Sequence, residues 1–387
     1  MHSRSFGKTL GMLLAFGLAA VLVGVLAVTT GCSSPQQSST EQSSSQASAR
    51  RNAASPLKVG VQYNALSLPT VFAEEYGYFS EAGLDAELYT YANGADENKA
   101  LEDGEIDIAS DSLASAYMLA TGLFSWIGES DDSAPTVAIY VREDSPAAQV
   151  SGEVPNNPNA KGSADTLRGL TVLGPAGTME EWVTVSYFSQ FGLTVGEDYD
   201  FIEMERAEAA DSVVDGLADA FVATDADYCR IMEENGFVAL ASGTEATMMP
   251  LNNGYLVNNK VLHDRYDDIV VFLRAVYRAA EVLNNDPALR SDFSFEYYRA
   301  NGKPTMRADV TKEAEVRPFF VPDGFTSPDY RLGSSVLDAG AFNASFGALE
   351  DRQVLTIENS INTQVLKDAF GIDVQRAMLG DGLQSSF

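Results

Sequence analysis

Cysteine, histidine and positive charge are what this 387-residue sequence has least of, with 2 Cys, 2 His and 25 Lys plus Arg. Cys32 closes an N-terminal apolar run and Cys229 stands alone far downstream, so no disulfide framework can be drawn and the fold must be held by its core. His2 lies at the extreme N-terminus, and His263 sits in a predicted helix as a packing or surface residue. That removes histidine-based triads and His-rich metal sites. No Gly-x-Ser-x-Gly motif occurs either. The expectation is therefore no catalytic constellation, no metal and no cofactor. Against the 25 basic residues stand 55 acidic ones, a net charge of −30. Non-specific nucleic-acid binding needs a basic face, so it is excluded. The acidity reads as solubility and suits a domain held near an anionic membrane without adhering to it.

What the chain does have begins with a membrane signal. Arg4 and Lys8 precede Leu10 to Val28, a run with no charge. Basic residues followed by an apolar run give the order of an export signal. The run ends in Val28-Thr29-Thr30-Gly31-Cys32, which resembles a bacterial lipobox, with Thr29 where a Leu is usual. Residues 1–31 are thus expected to be a signal peptide, and Cys32 the lipidated residue. The alternative is an uncleaved anchor, because the run is just long enough to span a bilayer. Both place the rest outside the cell's cytoplasm, tethered to the membrane. Residues 32–56 are rich in Ser and Gln, cannot build a core and read as a flexible tether. Its r.m.s. span is on the order of 25 Å.

Beyond the tether lie roughly 330 residues, more than one core usually holds, so two lobes are expected. A 45 % hydrophobic content with 10 % aromatics is ample for globular folding. LKVGVQ reads as a buried strand, Pro69 to Phe79 as a helix, DAELYTY as a strand, 95–103 as a helix, EIDIAS as a strand, and Ser112 to Leu119 as a helix. Strands alternating with helices argue for parallel pairing in an α/β layer. The same unit then returns. Tyr78-Phe79-Ser80-Glu81-Ala82-Gly83-Leu84 is matched by Tyr187-Phe188-Ser189-Gln190-Phe191-Gly192-Leu193, and Asp103-Gly104-Glu105-Ile106-Asp107 by Asp215-Gly216-Leu217-Ala218-Asp219. Each glycine is read as a left-handed helix end before a new strand. Two lobes on one plan follow: 57–138 as the first part of lobe one, 139–248 as lobe two, and 249–387 as the return to lobe one plus C-terminal helices. The insert 145–166 is a long surface loop. Val261 to Leu283 presents one apolar helical face, and the tail should brace the lobes from behind.

AEEYGYFSEAGLDAELYTYANGADENKALEDGEIDIASDS resembles the first lobe of extracytoplasmic solute-binding proteins of the nitrate/sulfonate/taurine family, through Gly77-Tyr78-Phe79, Gly83-Leu84-Asp85-Ala86-Glu87 and Leu101 to Asp107. Leu167-Arg168-Gly169-Leu170-Thr171-Val172 and Gly216-Leu217-Ala218-Asp219-Ala220 resemble the corresponding start and turn of its second lobe. The resemblance spans about residues 57–285. It implies an α/β fold of the two-lobe periplasmic-binding-protein type II, each lobe a mixed sheet flanked by helices, here with a helical C-terminal extension. It implies the substrate-binding component of an ABC importer, a monomer that takes a small-molecule solute in an interlobe cleft and hands it to permease and ATPase partners. The family also includes binders of pyrimidine vitamin precursors and of flavin. A related pyrimidine-synthesis enzyme relies on His residues and a Cys cluster that this chain lacks. The same fold could also serve an extracytoplasmic enzyme or a sensor module.

Ligands of open α/β sheets bind beyond the carboxyl ends of the strands. Four loops qualify: Tyr63-Asn64, Asp111-Ser112, the glycine loop ending at Gly177-Thr178, and Thr224-Asp225. Free N–H groups at the third loop suit an anionic group. Thr178-Met179-Glu180-Glu181 also spells a capping box that would serve only the helix. Its two carboxylates disfavour a bare anion such as nitrate. Asp225 could pair with a ligand ammonium or serve as a helix cap. Tyr63, Trp182 and Tyr228 could wall a planar ligand or belong to the core. Arg142 and Arg206 could reach the cleft or lie on the surface.

Overall fold

The computed structural model describes residues 55–380 apart from Phe346. The signal peptide, Cys32 and nearly all of the tether fall outside the described residues. The ordered chain opens with β1 (Leu57–Gln62), whose residues are buried but for Lys58, as expected of an interior strand. β2 (Ala86–Tyr91), β3 (Ile108–Asp111) and β4 (Phe124–Asp132) follow. β5 (Ala138–Arg142), β6 (Thr171–Gly174), β7 (Asp200–Glu203), β8 (Ala220–Ala223) and β9 (Phe237–Ser242) come next, and β10 (Asn252–Asn258) last.

These strands form two five-stranded sheets, in the orders β2-β1-β3-β10-β4 and β7-β6-β8-β5-β9. In each sheet the first three strands are parallel and the last two pairings are antiparallel. The chain passes to the second sheet between β4 and β5 and returns between β9 and β10. The antiparallel fourth strand of each sheet, β10 or β5, is the strand delivered by a crossing. Helices flank both sheets, so each is a mixed sheet in an α/β layer.

The repeated sequence units are repeated structure. Gly83 and Gly192 take φ of 75° and 70°. Leu84 N–H donates to Phe79 O at 2.9 Å, and Leu193 N–H to Phe188 O at 3.2 Å, so both helices end in the same left-handed cap. The second motif does more than turn the chain. The Asp107 carboxylate accepts from Lys58 N–H at 2.9 Å, and the Asp219 carboxylate accepts from Thr171 N–H at 2.8 Å. In return Asp107 N–H donates to Lys58 O and Asp219 N–H to Thr171 O. The aspartate that ends each Asp-Gly-x-x-Asp turn thus clasps the start of the middle one of its sheet's three parallel strands, β1 or β6.

Two expected helices are interrupted. The one expected over Pro69 to Phe79 is Leu68–Glu75 followed by Tyr78–Glu81, because Gly77 takes φ 75° between them. The one expected over Val261 to Leu283 is Asn259–Asp264 followed by Tyr266–Asn285. At the break, Arg265 leaves helical geometry and its Nε donates to Asp268 at 2.9 Å. The helix expected from Ser112 begins at Ser115, after a turn in which Asp111 accepts from Ser112 N–H and from the Ser115 hydroxyl, both at 2.7 Å. His263 is exposed and its ring bonds Asp264 at 2.9 Å, a surface residue. The insert 145–166 is pinned by an isolated bridge between Ser151 and Lys161.

The C-terminal helices bind both sheets. Phe272, on Tyr266–Asn285, stacks on Phe79 with ring centres 5.6 Å apart. Tyr277 donates its hydroxyl to Glu129 O on β4 at 2.8 Å. On the other side, Arg230 of the helix Ala226–Glu234 grips Asp309 of Arg307–Val316 through two bonds of 2.8 and 3.1 Å. Phe342 of Ser334–Ser345 meets Trp182 of Met179–Ser189 with ring centres 5.8 Å apart.

The strand clasp predicts that Asp107→Ala destabilises the fold by about 1–2 kcal/mol, the usual effect of orphaning a partly buried N–H. Urea denaturation checks this. A change within about 0.5 kcal/mol, the range of neutral surface substitutions, would mean that water replaces the carboxylate.

Candidate functional site

The carboxyl ends of β1, β3, β6 and β8 converge on one narrow cavity of about 30 Å³, room for about two waters. From the first sheet it is lined by Gln62, Asn64, Gly94 and Ser112. From the second come Thr178, Glu180, Arg206, Thr224 and Asp225, while Asn253 on β10 and Arg317 from the C-terminal helices complete the wall.

The wall of the first sheet is built of amides and buried acids. Gln62 donates Nε2 to Glu97 Oε2 at 2.8 Å, and Asn64 donates to Gln62 Oε1 at 3.2 Å. Glu97 also accepts from Ser110 N–H at 3.0 Å. It is fully buried, and burial together with the charge of Asp111 pushes its carboxyl well above the ordinary range. Asp111 is likewise fully buried, and burial raises its carboxyl to about 6 despite the bonds from Ser115 and Ser112. At the start of the helix Gly94–Glu102, a Cβ on Gly94 would lie 3.2 Å from Asp111 Oδ1, so a larger residue would crowd this acid.

The wall of the second sheet carries opposite charges held in pairs. Glu180, buried in the first turn of Met179–Ser189, is salt-bridged to Arg206 and accepts from the Thr178 hydroxyl at 2.8 Å and from Thr224 at 3.4 Å. Burial alone would lower Arg206, but Glu180 and Asp225 hold it above its ordinary value and keep it charged. Asp225 accepts from Lys303 Nζ at 2.8 Å and lies 3.5 Å from Arg317. Arg317 is also salt-bridged to Asp131 at the end of β4 and donates to Thr136 Oγ1 at 3.1 Å. Burial works against ionisation of Asp225, yet Lys303, Arg317 and Arg206 hold its carboxyl below the usual range. The cavity thus presents both signs of charge, each neutralised from within.

Of the residues singled out from sequence, Asn64, Ser112, Thr178, Thr224 and Asp225 line this cavity. Asp111 stands behind it, bonded to Ser112. Tyr63, Gly177 and Trp182 are not in its wall. Trp182 is core, against Phe342. Gly177 is exposed, and its N–H, the candidate donor to an anion, donates instead to Glu181 Oε2 at 2.7 Å. The capping box written at Thr178 does not form. The Thr178 hydroxyl shares its one proton between Pro175 O at 2.6 Å and Glu180 Oε2 at 2.8 Å and makes no cap bond, while Glu181 turns back to the glycine loop. Asp225 occupies the cap position of Ala226–Glu234 but makes no cap bond either, its side chain being drawn to Lys303. Tyr228 is core beside Phe221. Arg206 reaches the cavity, whereas Arg142 donates to Val214 O on the surface.

Sequence reasoning left open whether Glu180 capped its helix or faced the cleft, where it lies, and missed Lys303 and Arg317 altogether. The sole signal for the two cations was their setting, each directly before a proline (Lys303-Pro304, Arg317-Pro318).

Residues 64–123 match a family model described as NMT1/THI5 like. Over 316 residues, 82 % of this chain and 90 % of the other, the sequence is 23 % identical to a protein of Brachyspira hyodysenteriae that is itself assigned by inference as an ABC transporter periplasmic binding protein. The fold is similar to that of the alkanesulfonate-binding protein of Xanthomonas axonopodis pv. citri bound to MOPS, with a TM-score of 0.61 and 16 % identity over 80 % of this chain and 100 % of that one. It is similar also to the periplasmic nitrate-binding protein of Synechocystis PCC 6803, with a TM-score of 0.63 and 12 % identity over 82 % and 88 %. The chain has the periplasmic-binding-protein fold.

The raised carboxyl of Asp111 has a signed consequence. The folded state holds this proton up to about pH 6, whereas the unfolded chain releases it near 3.8. Stability from this group is complete below pH 4 and falls as pH rises towards 6. Urea denaturation of wild type and Asp111→Asn at both pH values should show wild type losing stability relative to the variant on going from 4 to 6. The same difference at both would mean Asp111 titrates normally.

Proposed function

We propose that this protein is the solute receptor of an ABC importer, capturing a small amphoteric solute such as an amino sulfonate between its two lobes and delivering it to a membrane permease and its ATPase. One observation carries the reading: a cavity at four converging strand ends whose lining charges come in paired opposite signs, Arg206 with Glu180 and Asp225 with Arg317, Asp225 being held from behind by Lys303 as well. A solute bearing both charges can exchange these ion pairs for its own and leave no buried charge uncompensated. A bare anion that captured Arg206 would strand Glu180, and stranding one member of a buried pair costs about 3–5 kcal/mol. The relatives that bind alkanesulfonate and nitrate, and the homologue assigned to an ABC transporter, support the receptor role. A sulfonate of several heavy atoms exceeds the cavity, so uptake requires the lobes to part, with 57–138 and 249–387 moving against 139–248. The protein acts as a monomer, is not an enzyme, and is held outside the cytoplasm by lipid on Cys32.

Calorimetry with taurine, alkanesulfonates, nitrate, pyrimidines and flavin tests the binding role. Taurine-like solutes should bind and nitrate should bind more weakly. Arg206→Gln should weaken binding about 10- to 100-fold, as loss of a charged hydrogen bond does. Absence of binding by every solute, or unchanged affinity in a folded Arg206→Gln protein, overturns the reading. If the vitamin precursors bind instead, the receptor role stands and the solute class changes.

The anchor is tested separately. Labelled palmitate should be incorporated by wild-type cells and not by Cys32→Ala. An unlabelled wild type, or a labelled variant, removes the lipid from the proposal.

A further inference from the structure

The interlobe cavity is lined by two polar atoms that its own walls leave idle. Asn64 and Asn253 each have a buried amide oxygen with no hydrogen-bond partner among the described residues. The side chains are deeply placed, Asn64 being 9 % exposed and Asn253 0 %. Buried acceptors are seldom left alone in folded proteins, so each such oxygen calls for a cause.

The orientation of both amides is fixed by their neighbours. Gln62 Nε2 donates to Glu97 Oε2 at 2.8 Å and to Ser110 O at 3.4 Å, and a backbone carbonyl can only accept. That leaves Gln62 Oε1 to accept from Asn64 Nδ2 at 3.2 Å, so the free end of the Asn64 amide is its oxygen. Asn64 also holds the cap position before the short turn Ala65–Ser67, where an asparagine oxygen commonly bonds the backbone, yet it makes no cap bond. Asn253 Nδ2 donates to Asp131 Oδ1 at 3.3 Å. Asp131 is ion-paired to Arg317 and therefore only accepts, so here too the oxygen is the free end. The pairing of β10 with β4 shifts register between Asn253 and Gly254, the kind of irregularity that re-aims a side chain.

The lining charges already balance, Arg206 against Glu180 and Arg317 against Asp225. An amide oxygen adds hydrogen-bonding capacity to such a wall without adding charge. β1 and β10 both pair with β3, so Asn64, just past β1, and Asn253, on β10, flank the end of that strand. Arg206 faces the same narrow space from the second sheet.

We propose that Asn64 and Asn253 determine the specificity of this site: their amide oxygens accept N–H bonds from the ammonium end of the solute and so direct its acid end to Arg206. The inference rests on the receptor reading above. It adds a requirement that charge balance alone does not impose, hydrogen-bond donors at the positive end.

Calorimetry on the full-length chain in nanodiscs, with empty nanodiscs as the blank, compares taurine, isethionate and propane-1-sulfonate. These carry an ammonium, a hydroxyl and a methyl at the same position. Charge matching alone treats the last two as equals. With the two oxygens as acceptors, isethionate should bind about threefold or more tighter than propane-1-sulfonate, the effect of one neutral hydrogen bond, and taurine tighter still. In Asn64→Ala/Asn253→Ala the isethionate margin should vanish while propane-1-sulfonate keeps its wild-type affinity, which also shows that the variant is folded. Each single variant should remove part of the margin, and Asn64→Ala, in a loop, decides the matter should the double variant not fold. Arg206→Gln should weaken isethionate and propane-1-sulfonate by the same factor, leaving the margin intact. Taurine binding with no isethionate margin, or a margin that survives the double variant, overturns the proposal and leaves the receptor reading standing. A margin lost with Arg206→Gln instead would turn the solute end for end and likewise overturns it. No saturable heat from any of the three removes the solute class on which the proposal rests, and the proposal with it.

Discussion

Arg317 is the constraint on which the rest of this structure depends. Its guanidinium is buried and joins Asp131 at the end of the first sheet's β4 to Asp225 after the second sheet's β8. A guanidinium taken out of water is tolerable only when its partners are held in place, because desolvation of each ion costs several kcal/mol. Those partners are held. Asp131 is further bonded by Ser130 and Asn253, and Asp225 by Lys303. Arg317 itself is fixed from behind, its carbonyl accepting from Arg290, whose guanidinium lies over the Phe319 ring. Breaking any one of these contacts leaves a buried charge with too few partners. The two sheets and the C-terminal helices are therefore tied at one point.

This ionic junction decides what the adjacent cavity can accept. The cavity walls present arginine and carboxylate together, each already satisfied, so a solute gains only what it returns in compensation. The glycine loop that would offer backbone donors to an anion has its Gly177 N–H closed by Glu181. Selection at such a site rests on matching both signs of charge, and shape enters once that match is made.

Much of the architecture was legible in the sequence because it rests on local chemistry. Gly83 and Gly192 end equivalent helices since only a left-handed residue completes that cap, and such a need shows in one position of sequence. The second motif was legible as a turn but not as a clasp. The bonds from Asp107 to Lys58 and from Asp219 to Thr171 span 49 and 48 residues, and nothing local announces the partner. The site was half legible for the same reason. Strand ends give Asn64, Ser112, Thr178, Thr224 and Asp225 from the rule that ligands gather there. Lys303 and Arg317 arrive from a helical tail whose amphipathic pattern speaks only of packing. The capping box that Thr178 also spelled does not form, because such a box is a pattern of residue types, whereas the Pro175 carbonyl and the buried Glu180 claim that hydroxyl in space.

The tail also shapes the energetics of any opening. It packs on the first sheet through Phe272 and Tyr277 and on the second through Asp309 and Phe342. When the lobes part it must let go of one side. The contacts to the first sheet are deeply buried, aromatic at Phe272 and Tyr277 and ionic at Arg317–Asp131, and those to the second are the ion pairs Lys303–Asp225 and Arg230–Asp309 with one aromatic contact, Phe342 on Trp182. Water can take over an ion pair at a newly opened surface far better than it can solvate a bared aromatic face. On the proposed receptor role, the tail would travel with the first sheet, and opening would expose Asp225 with its neighbours Arg206 and Glu180. The charges that hold the lobes together are then the ones a solute meets first. Under that role a solute's affinity would be its gain at those charges less the free energy of separating them from Lys303 and Arg317, so closure and recognition would draw on the same residues.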